Sequence, residues 1–136
     1  MTEKLVAVLA DDESGPRGLV KIYLEQCGFK VHEAKDGKEA ASLVTEHKPQ
    51  LLVTDFHMPE LTGAELVKQL RNGGNHQVHV LGISGMAGTR DDPASMRSFV
   101  ETHNRQYTSA PTMHFLEKPF KLAEFTNKIH EMGFRA

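Results

Sequence analysis

Short apolar runs alternate along this chain with segments whose apolar residues recur every three or four positions. Residues 5–10, 51–54, 78–83 and 113–116 are β-rich runs of the kind found in strands buried on both faces, and residues 29–34 alternate like a more exposed strand. The segments between them have helical spacing. Ser14 is placed to cap the first, Pro16 suits its first turn, Leu19, Val20, Tyr23 and Leu24 form its apolar side, and Gly28 stops it. Residues 37–47 bring Ala40, Ala41, Leu43 and Val44 to one side before Pro49, and residues 63–70 do the same with Leu66, Val67 and Leu70 before Asn72-Gly73-Gly74-Asn75. After the flexible Gly85-Met86-Ala87-Gly88, Asp92 and Pro93 open a helix carrying Met96, Phe99, Val100 and His103, and residues 108–112 read as a loop. Phe120, Leu122, Phe125, Ile129 and Met132 mark a final helix. The order βαβαβαβαβα predicts an α/β fold, a doubly wound parallel sheet with helices on both faces, because each right-handed crossover needs a helix.

In such a sheet, whatever stands at the carboxyl ends of the strands meets in one crevice. Here those positions hold Asp11 and Asp12, Asp55, Ser84 and Lys118. Three acids clustered together repel and call for a compensating cation, and with a hydroxyl and a lysine they point to metal-assisted chemistry on phosphate. Each residue taken singly has an ordinary explanation: the acids serve a helix N-terminus, Asp55 sits in a turn before Pro59, Ser84 is a strand-end hydroxyl, and Lys118 is a solvated charge beside Pro119. Four such coincidences at four strand ends are a much poorer account.

Composition narrows the classes. At 136 residues the chain has room for one domain, and its net charge of −2 comes from 16 basic and 18 acidic side chains with no basic stripe, which argues against nucleic acid. Cys27 is the only cysteine, so no intrachain disulfide forms; as the buried end of a helix it is expected to be inert. The first apolar run is too short for a signal-peptide core or a membrane span, and a soluble cytoplasmic protein is expected. Of the eight histidines, His57, His76, His79 and His114 are not expected to form a metal site, since no pair has a third ligand at zinc-like spacing.

The acidic pair after the first strand, Asp55-Phe56-His57-Met58-Pro59 with Gly63, Ser84, and Lys118-Pro119-Phe120 together resemble a response-regulator receiver domain over essentially the whole chain. The resemblance implies a flavodoxin-like, five-stranded sheet in the order 2-1-3-4-5; a chemotaxis member of the same family is a standard instance of that order. It implies that Asp55 accepts a phosphoryl group from a histidine kinase or histidine phosphotransfer protein. Asp12 and Asp55 then ligate Mg²⁺, Asp11 helps directly or through water, and the backbone carbonyl of His57 completes the protein's share. Lys118 pairs with the phosphoryl group, Ser84 turns its hydroxyl onto it, and Phe115 rotates into the space so opened. His57 and Met86 occupy positions that tune phosphoryl lifetime, and the Lys118–Pro119 bond is cis. Such a module catalyses only its own phosphorylation and dephosphorylation.

One departure stands out. Between Ser84 and Lys118 lie 33 residues, longer than expected for the family by about a dozen, or about three helical turns. A single receiver domain, residues 1–136, with an extended segment at 85–112 is therefore expected, with a lengthened or displaced fourth helix, an added loop and an altered face for a downstream protein or a second protomer through the fourth helix and fifth strand. No output domain is expected beyond the last helix, and output is expected in another molecule. Two alternatives remain: a receiver-like scaffold that binds without phosphorylation, and an aspartate-nucleophile phosphatase. The latter resembles Asp-x-Asp, and here His57 takes the second place.

Overall fold

A computed structural model describes residues 4–85 and 93–134. Five strands alternate with five helices: β1 Leu5–Ala10, α1 Ser14–Gln26, β2 Phe29–Ala34, α2 Gly37–His47, β3 Leu51–Asp55, α3 Gly63–Asn72, β4 His79–Ser84, α4 Pro93–Gln106, β5 His114–Glu117 and α5 Leu122–Glu131. All pairings are parallel and the sheet order is β2-β1-β3-β4-β5. Every residue of the central strand β3 is buried, whereas β2, at the edge, is the more exposed strand its sequence suggests but is buried only at its two ends, Phe29 and Ala34, without the expected alternation. Because successive side chains point to opposite faces, the strands feed two cores. Val8, Ala10, Leu52 and Val80 pack with Ala40, Val44, Leu66, Val67, Met96 and Val100 under α2, α3 and α4. Ala7, Leu9, Leu51, Val53, Leu81 and Ile83 pack with Val20, Leu24, Phe125 and Ile129 under α1 and α5. Each Val, Leu, Ile, Met or Phe among them contributes about 1.5–3 kcal/mol on burial.

The helix starts follow local chemistry in two cases and depart from it in one. The Asp36 carboxylate accepts from the Glu39 N–H at 2.8 Å, and Thr62 and Glu65 exchange side-chain bonds at 2.9 and 3.1 Å, a complete capping box for α3. Ser14, expected to cap α1, is instead its first residue, and Glu13 stands at the cap position without a side-chain bond. Leu19, expected on the apolar side, is 48% exposed, and Ile22 is 50% exposed. The buried stripe runs through Val20 and Leu24, and Leu19 lies about 100° round the helix from Val20. Cys27 is buried at the end of α1, and that burial pushes its thiol pKa up, as an inert cysteine requires.

The 14 residues of α4 bury Met96, Val100 and His103. Its expected cap, Asp92, and the flexible run from Met86 lie outside the described residues. The join to β5 is held by a polar network that sequence reasoning missed. Arg71 of α3, 1% exposed, donates from Nε to His103 Nε2 at 3.1 Å and from Nη1 to the Asn75 carbonyl at 3.1 Å. His103 must therefore carry its proton on Nδ1, which faces Asn104 Oδ1 at 2.8 Å. The Asn104 amide in turn accepts from the Met113 N–H at 2.8 Å and donates to the Met113 carbonyl at 3.1 Å, fixing the start of β5. Tyr107 donates to Asn72 Oδ1 at 2.8 Å, and the His76 ring meets Ser109 Oγ at 2.7 Å.

Acid should loosen this corner. Burial holds the imidazoles of His79, His103 and His114 below their ordinary pKa of 6.5, with the Arg71 charge adding to the effect on His79 and His103. A folded-state pKa below the unfolded value means that the unfolded chain binds more protons as pH falls. The stabilisation is whole above 6.5 and is lost as pH drops below it. Urea midpoints measured between pH 7.5 and 5.5 are expected to fall, and less steeply in His103→Gln; a flat profile contradicts the arrangement.

Candidate functional site

The carboxyl ends of β1, β3, β4 and β5 converge, and each candidate residue leaves its strand there. Asp11 follows β1, with its N–H donating to the Ala34 carbonyl at 3.1 Å, and Asp12 comes next. Asp55 is the last residue of β3, and Ser84 the last of β4. Lys118 follows β5, its N–H donating to the Ser84 carbonyl at 2.8 Å, and the Lys118–Pro119 bond is cis. The loop after Asp55 is tied back to the sheet: Phe56 donates its N–H to the Ile83 carbonyl and Gly63 donates to the Phe56 carbonyl, both at 2.9 Å.

The distances join these residues into one cluster. A carboxylate oxygen from each of Asp11, Asp12 and Asp55 lies within 4.8 Å of the others; Asp11 and Asp55 are buried and Asp12 is exposed. The ammonium of Lys118 stands 3.4 Å from Asp55 Oδ2 and 3.9 Å from Asp11 Oδ2. Among the described residues, three carboxylates and one lysine share a partly desolvated crevice. Asp11 registers the strain, since burial raises its pKa despite the Glu13 N–H bonded to it at 2.9 Å and the nearby Lys118. Three hard oxygen donors with an open side suit a Mg²⁺ ion that keeps some of its waters.

The helix-cap explanation for the acids fares poorly. Asp11 Oδ1 binds the N–H of Glu13, ahead of α1, and α1 itself starts without a side-chain cap. Arg17, which no sequence spacing singles out, donates to the Asp11 carbonyl at 2.8 Å and pairs with Glu33 at 3.2 Å, so it braces the acidic turn against β2. The other candidates surround the cluster. The His57 N–H points at Asp55 Oδ1 from 3.4 Å, and its side chain is half-buried. Ser84 is fully buried, and its hydroxyl has no hydrogen-bond partner among the described residues. A buried hydroxyl left unmatched costs stability and suits a group that gains a partner in another state. Phe115 lies on β5, half-buried, with the Arg97 guanidinium 5.9 Å from its ring centroid. Met86 lies outside the described residues.

Comparison with known proteins points the same way. Response regulator Rre1 of Synechocystis is 36% identical over 94 residues, 66% of this chain and 41% of that protein. The transcriptional regulatory protein SrrA of Staphylococcus aureus is 38% identical over 64 residues, 47% of this chain and 27% of that protein, so the chain spans less than half the length of these relatives. The chemotaxis response regulator CheY4 of Vibrio cholerae superposes with a TM-score of 0.76 at 21% identity, over 96% of this chain and 99% of that one, and shares the fold. Residues 7–130, which include every strand end of the acidic crevice, match the response regulator receiver domain. With that match over nearly its whole length, the chain belongs to the response regulator receiver family.

Proposed function

We propose that this chain is a phosphoacceptor signalling module that takes a phosphoryl group onto Asp55 from a phosphohistidine donor, a histidine kinase or a histidine phosphotransfer protein, and signals through a changed surface. The convergence of Lys118 on Asp55 and Asp11 beside a third carboxylate is the observation that carries it. Asp12 and Asp55 hold Mg²⁺, Asp11 assists, and the His57 carbonyl is the remaining protein ligand. The ion supplies charge neutralisation for the equatorial phosphoryl oxygens. Asp55 acts as the nucleophile, giving an acyl phosphate while the donor imidazole leaves with the electron pair of the broken P–N bond. Phosphoryl transfer asks mainly for in-line placement and charge stabilisation. Lys118, whose ammonium already stands beside Asp55 and Asp11, meets the incoming oxygens, and the Ser84 hydroxyl donates to one of them. His57 or Met86 tunes how long the acyl phosphate lasts, and unchanged decay rates in His57→Ala and Met86→Ala end that assignment.

We assign the face that partners read to α4 and β5, the face through which a second copy would form a dimer. No described helix is long and apolar enough to cross a membrane, and a cytoplasmic location follows from the kinase partnership. Intact-mass spectrometry after incubation with acetyl phosphate tests the chemistry. One phosphoryl adduct is expected in wild type with Mg²⁺, and none in Asp55→Asn or after chelation. An adduct surviving in Asp55→Asn, or wild type that neither forms one nor binds beryllofluoride, overturns the reading.

A further inference from the structure

Ala10, Thr54, Gly82 and Phe115 stand side by side across β1, β3, β4 and β5. Neighbours in register share a face, and this row faces the core under α3 and α4, as does Ser84 two residues beyond Gly82. The row is uneven: Phe115 is bulky and Gly82 has no side chain. A Cβ placed on Gly82 would lie 2.8 Å from both Sδ and Cε of Met96 and 3.2 Å from Cε of Met113. The fully buried thioether of Met96 therefore fills the socket that the glycine leaves. Phe115, next to that socket, is half-buried beside Arg97, which also pairs with Glu117 at 3.3 Å.

We propose that Met96 and Phe115 compete for one socket above Gly82. Met96 holds it while Asp55 is unmodified; Phe115 takes it, expelling Met96 and shifting α4, once Ser84 is drawn toward a phosphoryl oxygen. The idea rests on phosphorylation at Asp55 and identifies what the resulting switch must displace. Close packing forbids both side chains in the same volume, so occupancy has two discrete states rather than a continuum. A thioether on three rotatable bonds can leave without breaking a hydrogen bond. The Arg97 guanidinium, over the ring and tied to Glu117, favours the outward Phe115.

Protein labelled with ¹³C at its methionine methyls, with beryllofluoride and Mg²⁺ as the probe, tests this. A bound-fluoride ¹⁹F signal should come with a large shift of the Met96 methyl and little change at Met132. Bound fluoride with an unmoved Met96 methyl overturns the socket. Absence of bound fluoride refutes the phosphoacceptor reading instead, and the socket is then decided without any ligand. In unliganded Met96→Ala, or the milder Met96→Val, the Phe115 ring should gain nuclear Overhauser contacts to the Gly82 α-protons that wild type lacks. A ring that stays beside Arg97 in both variants rejects the competition.

Discussion

Gly63→Ala is expected to lose about 3 kcal/mol of stability or more and, with it, most phosphoryl uptake at Asp55. The added Cβ would collide with the Asp55 carbonyl oxygen and press on Phe56 Cα at 3.0 Å and the Asp55 carbonyl carbon at 3.2 Å. All three atoms are backbone, so no rotamer change relieves the clash. The Gly63 N–H also donates to the Phe56 carbonyl at 2.9 Å, and moving α3 away stretches the bond that closes the loop around the acceptor. Stability and chemistry therefore fail together, since the carbonyl being pushed belongs to the nucleophile's own residue. Gly15→Ala is the control. It lies in α1 with open space around its Cβ, and it should gain a few tenths to about 1 kcal/mol while leaving phosphorylation intact. Urea titration and acetyl phosphate labelling of the two variants check the pair, and a Gly63→Ala protein as stable and reactive as wild type contradicts the geometry.

Lys118→Ala is expected to slow phosphorylation by about 10²–10³-fold while tightening Mg²⁺ binding. The two effects have opposite signs for one reason. Lys118 is the described cation nearest Asp55 and Asp11, at 3.4 and 3.9 Å. Without it the carboxylates present a more negative face to a metal ion, but the phosphoryl oxygens lose the donor that meets their developing charge. A residue that merely held the loop together would weaken both. Initial rates of adduct formation and Mg²⁺ titration in the same variant distinguish the cases. Equal rates in wild type and Lys118→Ala remove Lys118 from the chemistry. Lys118→Arg should restore only part of the rate, because a planar, delocalised guanidinium cannot put a compact charge at the same point.

The acidic crevice was legible because its members sit at strand ends. Once residues 5–10, 51–54, 78–83 and 113–116 read as parallel strands, connectivity alone brings Asp11, Asp12, Asp55, Ser84 and Lys118 to one edge of the sheet. Helix starts were less legible. The Thr62–Glu65 capping box is a local pattern and is present, whereas Ser14 competed with Glu13 one position away, and the turn through Asp11 decided between them. Leu19 shows the same limit, since the orientation of α1 on the sheet selects Val20 and Leu24 from a broader apolar stripe.

What the sequence by itself determined is the alternation of strands and helices and the meeting of three carboxylates with Lys118 at one edge of the sheet, because both follow from periodicity and from positions relative to strand ends. Only the tertiary structure decided that a buried Arg71 joins α3 to His103 on α4, that Arg17 braces the acidic turn, and that Met96 lies in the space above Gly82. These contacts join residues far apart in the chain, or on different elements, whose meeting depends on how helices rotate and slide on the sheet. Periodicity says which face of a helix is buried, but not what it will touch.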